Sequence, residues 1–191
     1  MKKTLLCLCA VSLLQACANK PQYVAVDNAT YSIHDLPEPT GEGALVIGLE
    51  PRTETNLYNC QNVEITVKEM IAGGGFSDEP IILGFQPNKV NSYVIFHSIK
   101  PGFYVTNQIR CVTSNGSIYD ETRIINAVAK MNIKSDKITA SHNIYEEKIL
   151  SDRTTLPRFD YGDGGKIEDM LNADLKKKTN GTSWQTNFYG F

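Results

Sequence analysis

The chain predicts a mainly β fold, an antiparallel β-sandwich with one C-terminal amphipathic helix, and three features of the sequence lead there. From Ala44 onward, short runs rich in β-branched and aromatic residues are separated by turn residues. No helical period intervenes between those runs, which argues against an alternating strand–helix sheet. Only near the end does the period change. There Ile167, Met170, Leu171, Asp174 and Leu175 fall on helical spacing, and four of those five are apolar. The 191 residues suffice for one domain with a sizeable core.

The N-terminus reads as an export signal. Lys2 and Lys3 supply a positive start, Thr4 to Leu14 form a short apolar run, and Leu14-Gln15-Ala16-Cys17 closes it with small residues before a cysteine. The run is too short for a stable membrane span, and no later segment approaches eighteen consecutive apolar residues. The closing tetrapeptide resembles the lipobox of bacterial lipoproteins; Leu14, Ala16 and Cys17 fit it, and Gln15 is a less usual residue at its place. The resemblance implies that residues 1–16 are a signal peptide and that Cys17 is diacylated as the mature N-terminus. Ala18 after that cysteine implies sorting to the outer membrane, lipid-anchored at its periplasmic face or at the cell surface. Residues 17–42 then read as a lipidated tether and loop, rich in Pro and Gly, with a weak edge strand within Val24 to Tyr31. Residues 43–191 form the single sandwich domain.

The strands follow in order. Ala44 to Leu49 is a buried strand ended by Pro51, and Val63 to Lys68 alternates strictly, apolar in and polar out. Gly73-Gly74-Gly75 is a turn, Pro80 precedes Ile81 to Phe85, and Ser92 to Ile99 is a further strand. After Pro101-Gly102, the residues Phe103, Val105, Ile109 and Cys111 share one parity and are expected to face the core together. Arg123 to Ile133 fits strand or helix. Asp136 to Tyr145 alternates, with Ile138, Ala140 and His142 on one face. The helix is expected at about 166–178, with acids early and Lys176 to Lys178 late, as its dipole favours; Asn180-Gly181 stops it, and the aromatic tail from Trp184 packs back onto the domain.

Of five cysteines, Cys7 and Cys9 leave with the signal and Cys17 takes lipid, which leaves Cys60 and Cys111. An even pair in a thiol-oxidising compartment is expected to be bonded. Cys60 has the wrong parity for Val63, Ile65 and Val67, which a bulge at Gln61-Asn62 would reconcile.

The chain carries few residues in patterns that support chemistry. The chain has no Gly-x-Ser-x-Gly elbow, His-Glu-x-x-His, phosphate loop or dinucleotide fingerprint. Ser92, Ser98 and Ser141 are ordinary serines, and only His34, His97 and His142 could act as bases. No catalytic residue, metal ligand or cofactor is expected. Asp160-Tyr-Gly-Asp163-Gly-Gly lacks acids at the third and fifth positions of a calcium loop and reads as a turn, with Asp163 capping the helix. A net charge of −2, more acidic once the signal is removed, argues against a nucleic-acid partner.

Ile99-Lys-Pro-Gly-Phe-Tyr104 resembles the Pro-Gly-x-Tyr turn of small transthyretin-like or immunoglobulin-like sandwiches in bacterial lipoproteins, and Asp136-Lys-Ile-Thr resembles their next strand. That resemblance, over residues 44–145, implies that the turn sends a strand across the sheet and that its aromatic plugs one end of the core. It also implies a non-catalytic surface or periplasmic module; the type VI outer-membrane lipoprotein uses a related sandwich. The expected function is therefore a lipid-anchored, non-enzymatic interaction or accessory module, in a secretion or envelope assembly, with an envelope protein as partner. Tyr58-Asn-Cys60 and the strand after it also resemble the start of membrane-bound lysozyme inhibitors, the alternative reading. Their Ser-Gly-x-x-Tyr segment is not matched by Ser114-Asn-Gly-Ser-Ile-Tyr119. A third alternative is an envelope hydrolase using His97 or His142.

Overall fold

A computed structural model describes residues 28–50, 56–87, 90–122, 130–161, 164–177 and 183–187. Cys17, Asp163, His142's side chain, Asn180-Gly181 and the last four residues lie outside what it describes. The elements run β1 (Ala29–Thr30), a 3-10 turn (Ile33–Asp35), β2 (Gly43–Leu49), β3 (Cys60–Glu69), β4 (Ile81–Phe85), β5 (Tyr93–Ile99) and β6 (Gly102–Thr113). They continue with β7 (Ile118–Thr122), β8 (Lys130–Ile133), β9 (Lys137–Ile149), β10 (Thr155–Tyr161), helix α1 (Gly164–Lys177) and β11 (Gln185–Asn187). The expected mainly β architecture with one late helix is what the described residues form.

Two sheets carry the fold. The first runs β1-β5-β2-β9-β10, and the second β4-β3-β6-β7. One long strand in each serves two short ones placed end to end. β9 pairs β11 through Lys137–Thr139 and β10 through Asn143–Ile149, while β6 pairs β8 at its start and β7 farther on. All pairs of the second sheet are antiparallel. The first sheet is mixed, because β2 and β11 both run parallel to β9. This departs from the wholly antiparallel expectation. A parallel pair needs a long crossover rather than a hairpin, and the entire second sheet lies between β2 and β9 in the chain.

The alternating faces of β2 explain its unbroken burial. Leu45, Ile47 and Leu49 point between the sheets, into a core with Val63, Ile65, Leu83, Phe96 and Ile109. Ala44 and Val46 face the other way, into a second core with Ile33, Leu36, Ile95, Ile138, Ile167, Leu171 and Trp184. The molecule therefore has three layers: sheet, sheet and helix. Edge-to-face rings run through the first core from Phe85 to Phe96 (6.1 Å) and Tyr145 (5.2 Å), and from Tyr145 to Phe159 (6.3 Å). Such pairs add modestly to their area burial. At one corner the sheets touch so closely that a Cβ on Gly43 would meet Ile133 Cγ2 at 2.4 Å.

The helix uses the stripe its spacing predicts. Ile167 and Leu171 are buried, and Met170 and Leu175 pack against them. Asp174, the polar member, accepts a hydrogen bond from Tyr93 Oη at 3.0 Å. Trp184 is buried beside them, its Nε1 donating to Pro37 O at 2.6 Å. Part of the segment expected as tether and loop also belongs to this layer, since Ile33 and Leu36 are only 1% and 3% exposed. Those two apolar residues are too few to make a period, and they are buried in a cluster shared by the outer face of the first sheet, the helix and Trp184.

Burial, then the Asp174 hydrogen bond and charge, push the Tyr93 phenol up to about 12. A pKa above the unfolded value of about 10 stabilises the fold below pH 10, and that contribution disappears as pH rises through 12. Wild-type stability should therefore fall more steeply between pH 10 and 12 than that of Tyr93→Phe. Tyr31 and Tyr104, also shifted upward, are common to both proteins. At neutral pH the substitution should cost about 1.5–3 kcal/mol, the range for a hydrogen bond to a charged acceptor. Urea midpoints across that pH range check both; parallel curves would contradict the assignment.

Candidate functional site

Bulges decide which side chains each end of the sandwich presents. Between Cys60 and Asn62 the β3–β6 register shifts, so that Cys60 turns inward despite its parity. The expected bulge is there. Cys60 and Cys111 are disulfide-bonded with Cα atoms 5.3 Å apart, and both are fully buried. The bond joins neighbouring strands of the second sheet. Above it Tyr145 Oη donates to Cys60 Sγ at 3.2 Å, and Glu147 Oε2 accepts from Cys60 N (3.0 Å) and Asn59 Nδ2 (3.2 Å). Tyr145 and Glu147 belong to β9, so this end is clasped from sheet to sheet. The 56–60 loop is held further by Arg153 over the Tyr58 ring and by Thr155 Oγ1 donating to Tyr58 O.

A second shift, between Thr66 and Val67, places an extra residue in β6 and corrects the expectation for Phe103. Ile109 and Cys111 face the core, but on the N-terminal side of the shift Tyr104 and Thr106 take the inward positions. Phe103 is 55% exposed. Val105 stays buried. Tyr104 lies in the inter-sheet core, and its hydroxyl donates to Lys100 O at 2.8 Å across the Pro101-Gly102 turn.

Phe103 has company. Met70 N donates to Phe103 O at 2.7 Å, and Met70 bridges to Phe76. Phe76, Met70 and Phe103 thus sit at adjacent positions across one end of the second sheet. The intervening turn closes through Ile71 N to Gly75 O (3.1 Å) and Gly74 N to Ile71 O (3.3 Å). Gly73, Gly74 and Gly75 have φ of 98°, 82° and 156°, a left-handed run that only glycine adopts cheaply. Met70, Ile71 and Phe76 are 42%, 51% and 48% exposed. Polar residues are the rule at such a turn. The signal is present in Met70-Ile71-Ala72 leading into three glycines and Phe76; the shared parity of Phe103 with Ile109 and Cys111 conceals its connection to them.

His97 lies at the same end. Its Nδ1 is 3.1 Å from Ser98 Oγ, and Ser98 is exposed with φ of 59°, an uncommon backbone for a serine. Burial lowers the imidazole pKa, opposed by the charge of Glu42. A working triad also needs a group that orients the base and donors for an oxyanion. Glu42 acts here through its charge alone, and no described carboxylate is hydrogen-bonded to the ring. His34 sits in the 3-10 turn, and Ser92 and Ser141 are not brought to His97. The described residues contain no group of three or more His, Cys, Asp or Glu side chains able to hold a metal. An open groove of about 440 Å³ runs between the end of α1 and β11, lined by Asn172, Leu175, Lys176, Trp184, Gln185 and Thr186.

The chain comes into the described fold beside His97. Asn28 O accepts from His97 N at 2.9 Å, and Asn28 Nδ2 donates to His97 O at 3.1 Å. This end of the sandwich therefore combines the chain's entry point, a hydroxyl–imidazole pair and an apolar hairpin tip. No protein-family model, curated protein or solved structure matches the chain.

Proposed function

We propose that this is a lipid-anchored, non-enzymatic protein of the bacterial envelope, an interaction or accessory module held at the outer membrane by acylated Cys17. The buried Cys60–Cys111 disulfide carries the reading, because such bonds persist in compartments that oxidise thiols. The Lys2-Lys3 start and Leu14-Gln15-Ala16-Cys17 supply the route there. A binding role is supported by what the surface offers: apolar side chains at both ends of a rigid sandwich, with Leu57, Ile118 and Leu150 exposed at the end away from Asn28. Among the described residues, no carboxylate is hydrogen-bonded to His97, which pairs with Ser98 Oγ.

Cys17→Ser tests the anchor. Only a thiol accepts the diacylglyceryl group, and several acyl chains hold a protein where one does so marginally. Cells fed a fatty-acid analogue should label the wild type and not the variant, which should accumulate as unprocessed precursor. Equal labelling of the two would overturn the proposal. A photocrosslinker at Leu57 in intact cells should capture an envelope protein, and capture of none would remove the interaction role.

A further inference from the structure

We propose that the end of the sandwich carrying Met70, Ile71, Phe76 and Phe103 seats on the lipid surface, its glycine hairpin dipping into the headgroup–acyl boundary. The inference rests on the lipid anchor proposed above and adds an orientation to it.

Topology places the hairpin and the chain's entry together. β5 ends at Ile99, the Lys100-Pro101 turn starts β6 at Gly102, and Tyr104 of β6 pairs with Glu69, the last residue of β3. Asn28 lies opposite His97, two residues short of the end of β5. Eleven residue steps separate Asn28 from Cys17, and a chain of that length, drawn out fully, spans at most about 40 Å. The eleven steps along the twelve residues of β6 alone run about 36 Å. A tether rooted beside His97 would be used up in reaching the opposite end, so the near end faces the bilayer.

The chemistry of that end suits the contact. Two backbone hydrogen bonds close the hairpin tip, Ile71 N to Gly75 O and Gly74 N to Ile71 O. The remaining polar groups of the glycine run can meet water and headgroups while the Ile71 and Phe76 side chains enter the apolar boundary. The flanking charges are mixed, with Lys100 paired to Glu69 at 3.6 Å and Asp78 and Glu79 exposed after Phe76. Apolar insertion rather than attraction to anionic lipid therefore drives the contact, and a zwitterionic surface should serve.

Bromolipid quenching provides the test. The acylated full-length mature protein, carrying Phe76→Trp, Ile71→Trp or Ile118→Trp, is reconstituted into phosphatidylcholine vesicles with or without brominated acyl chains. Native Trp184, buried under the helix, gives the same background in each. Emission from both hairpin tryptophans should fall about twofold with bromolipid, and that from position 118, at the opposite end, should not. Quenching at 118 instead would overturn the proposal by turning the molecule the other way up. Quenching at neither end would overturn it in favour of an end that binds protein. Acyl labelling of the same samples reports on the anchor separately: quenching without label would uphold the seating and refute the anchor, and label without quenching would do the reverse.

Discussion

Replacing Cys60 and Cys111 together with alanine should lower stability by about 4 kcal/mol, the loop-closure entropy returned to the unfolded chain when a crosslink across 51 residues is removed. For a domain whose whole stability is of the order of 5–15 kcal/mol, that is a large fraction. The enclosed segment contains β4, β5 and most of both β3 and β6, so the bond restrains strands from both sheets before they pair. Both sulfurs are fully buried beneath Tyr145, which loses an acceptor for its hydroxyl in the variant. Urea unfolding of wild type and double variant measures the difference, and alkylation under denaturing, non-reducing conditions should find neither thiol free. A double variant within about 1 kcal/mol of wild type would show that the Glu147 clasp holds that end by itself.

What could be read from the chain, and what could not, divides by the range of the interaction. β3 announces itself through Val63-Glu-Ile-Thr-Val, since one of its faces is solvated and the pattern follows the pleat. The helix is similarly local, and its stripe and last-turn lysines stand in the chain as they do in space. The bulge at Gln61 was legible because Cys60 had to join a face its parity denied it. The shift in β6 had no such marker: Phe103 and Tyr104 are both aromatic, and which one turns inward depends on where β3 slips against β6. The parallel β2–β9 pair joins segments some ninety residues apart, and no residue pattern in either strand names its partner. The burial of Ile33 and Leu36 likewise depends on a cluster shared with a helix far along the chain. At the candidate site the individual signals were present, in the glycine triplet, Phe76 and Pro101-Gly102. Their meeting beside Asn28 is a property of the topology.

Leu171→Asp should destabilise the protein by about 4 kcal/mol or more, or release α1 from the sandwich. Leu171 is fully buried at the centre of the layer formed by Ile33, Val46, Ile95, Ile138 and Trp184. Truncating such a side chain costs about 2–5 kcal/mol, and the aspartate adds a charge with no partner in an apolar seam. A helix of fourteen residues is marginal alone in water, so docking must hold it. The Tyr93–Asp174 hydrogen bond cannot retain it once the seam fails, because both groups can be satisfied by water. Lys177→Glu is the control. Its side chain is 71% exposed, and it gives up a 3.5 Å pair with Asp174 and a favourable place at the helix C-terminus, together about 0.5 kcal/mol. Thermal and urea unfolding should separate the two variants widely, with loss of near-ultraviolet signal from Trp184 in Leu171→Asp alone. If the variants behaved alike, the helix would not belong to the cooperative fold. Its apolar stripe would then be free for a partner, and the first sheet would have to bury the outer face of β2 by other means.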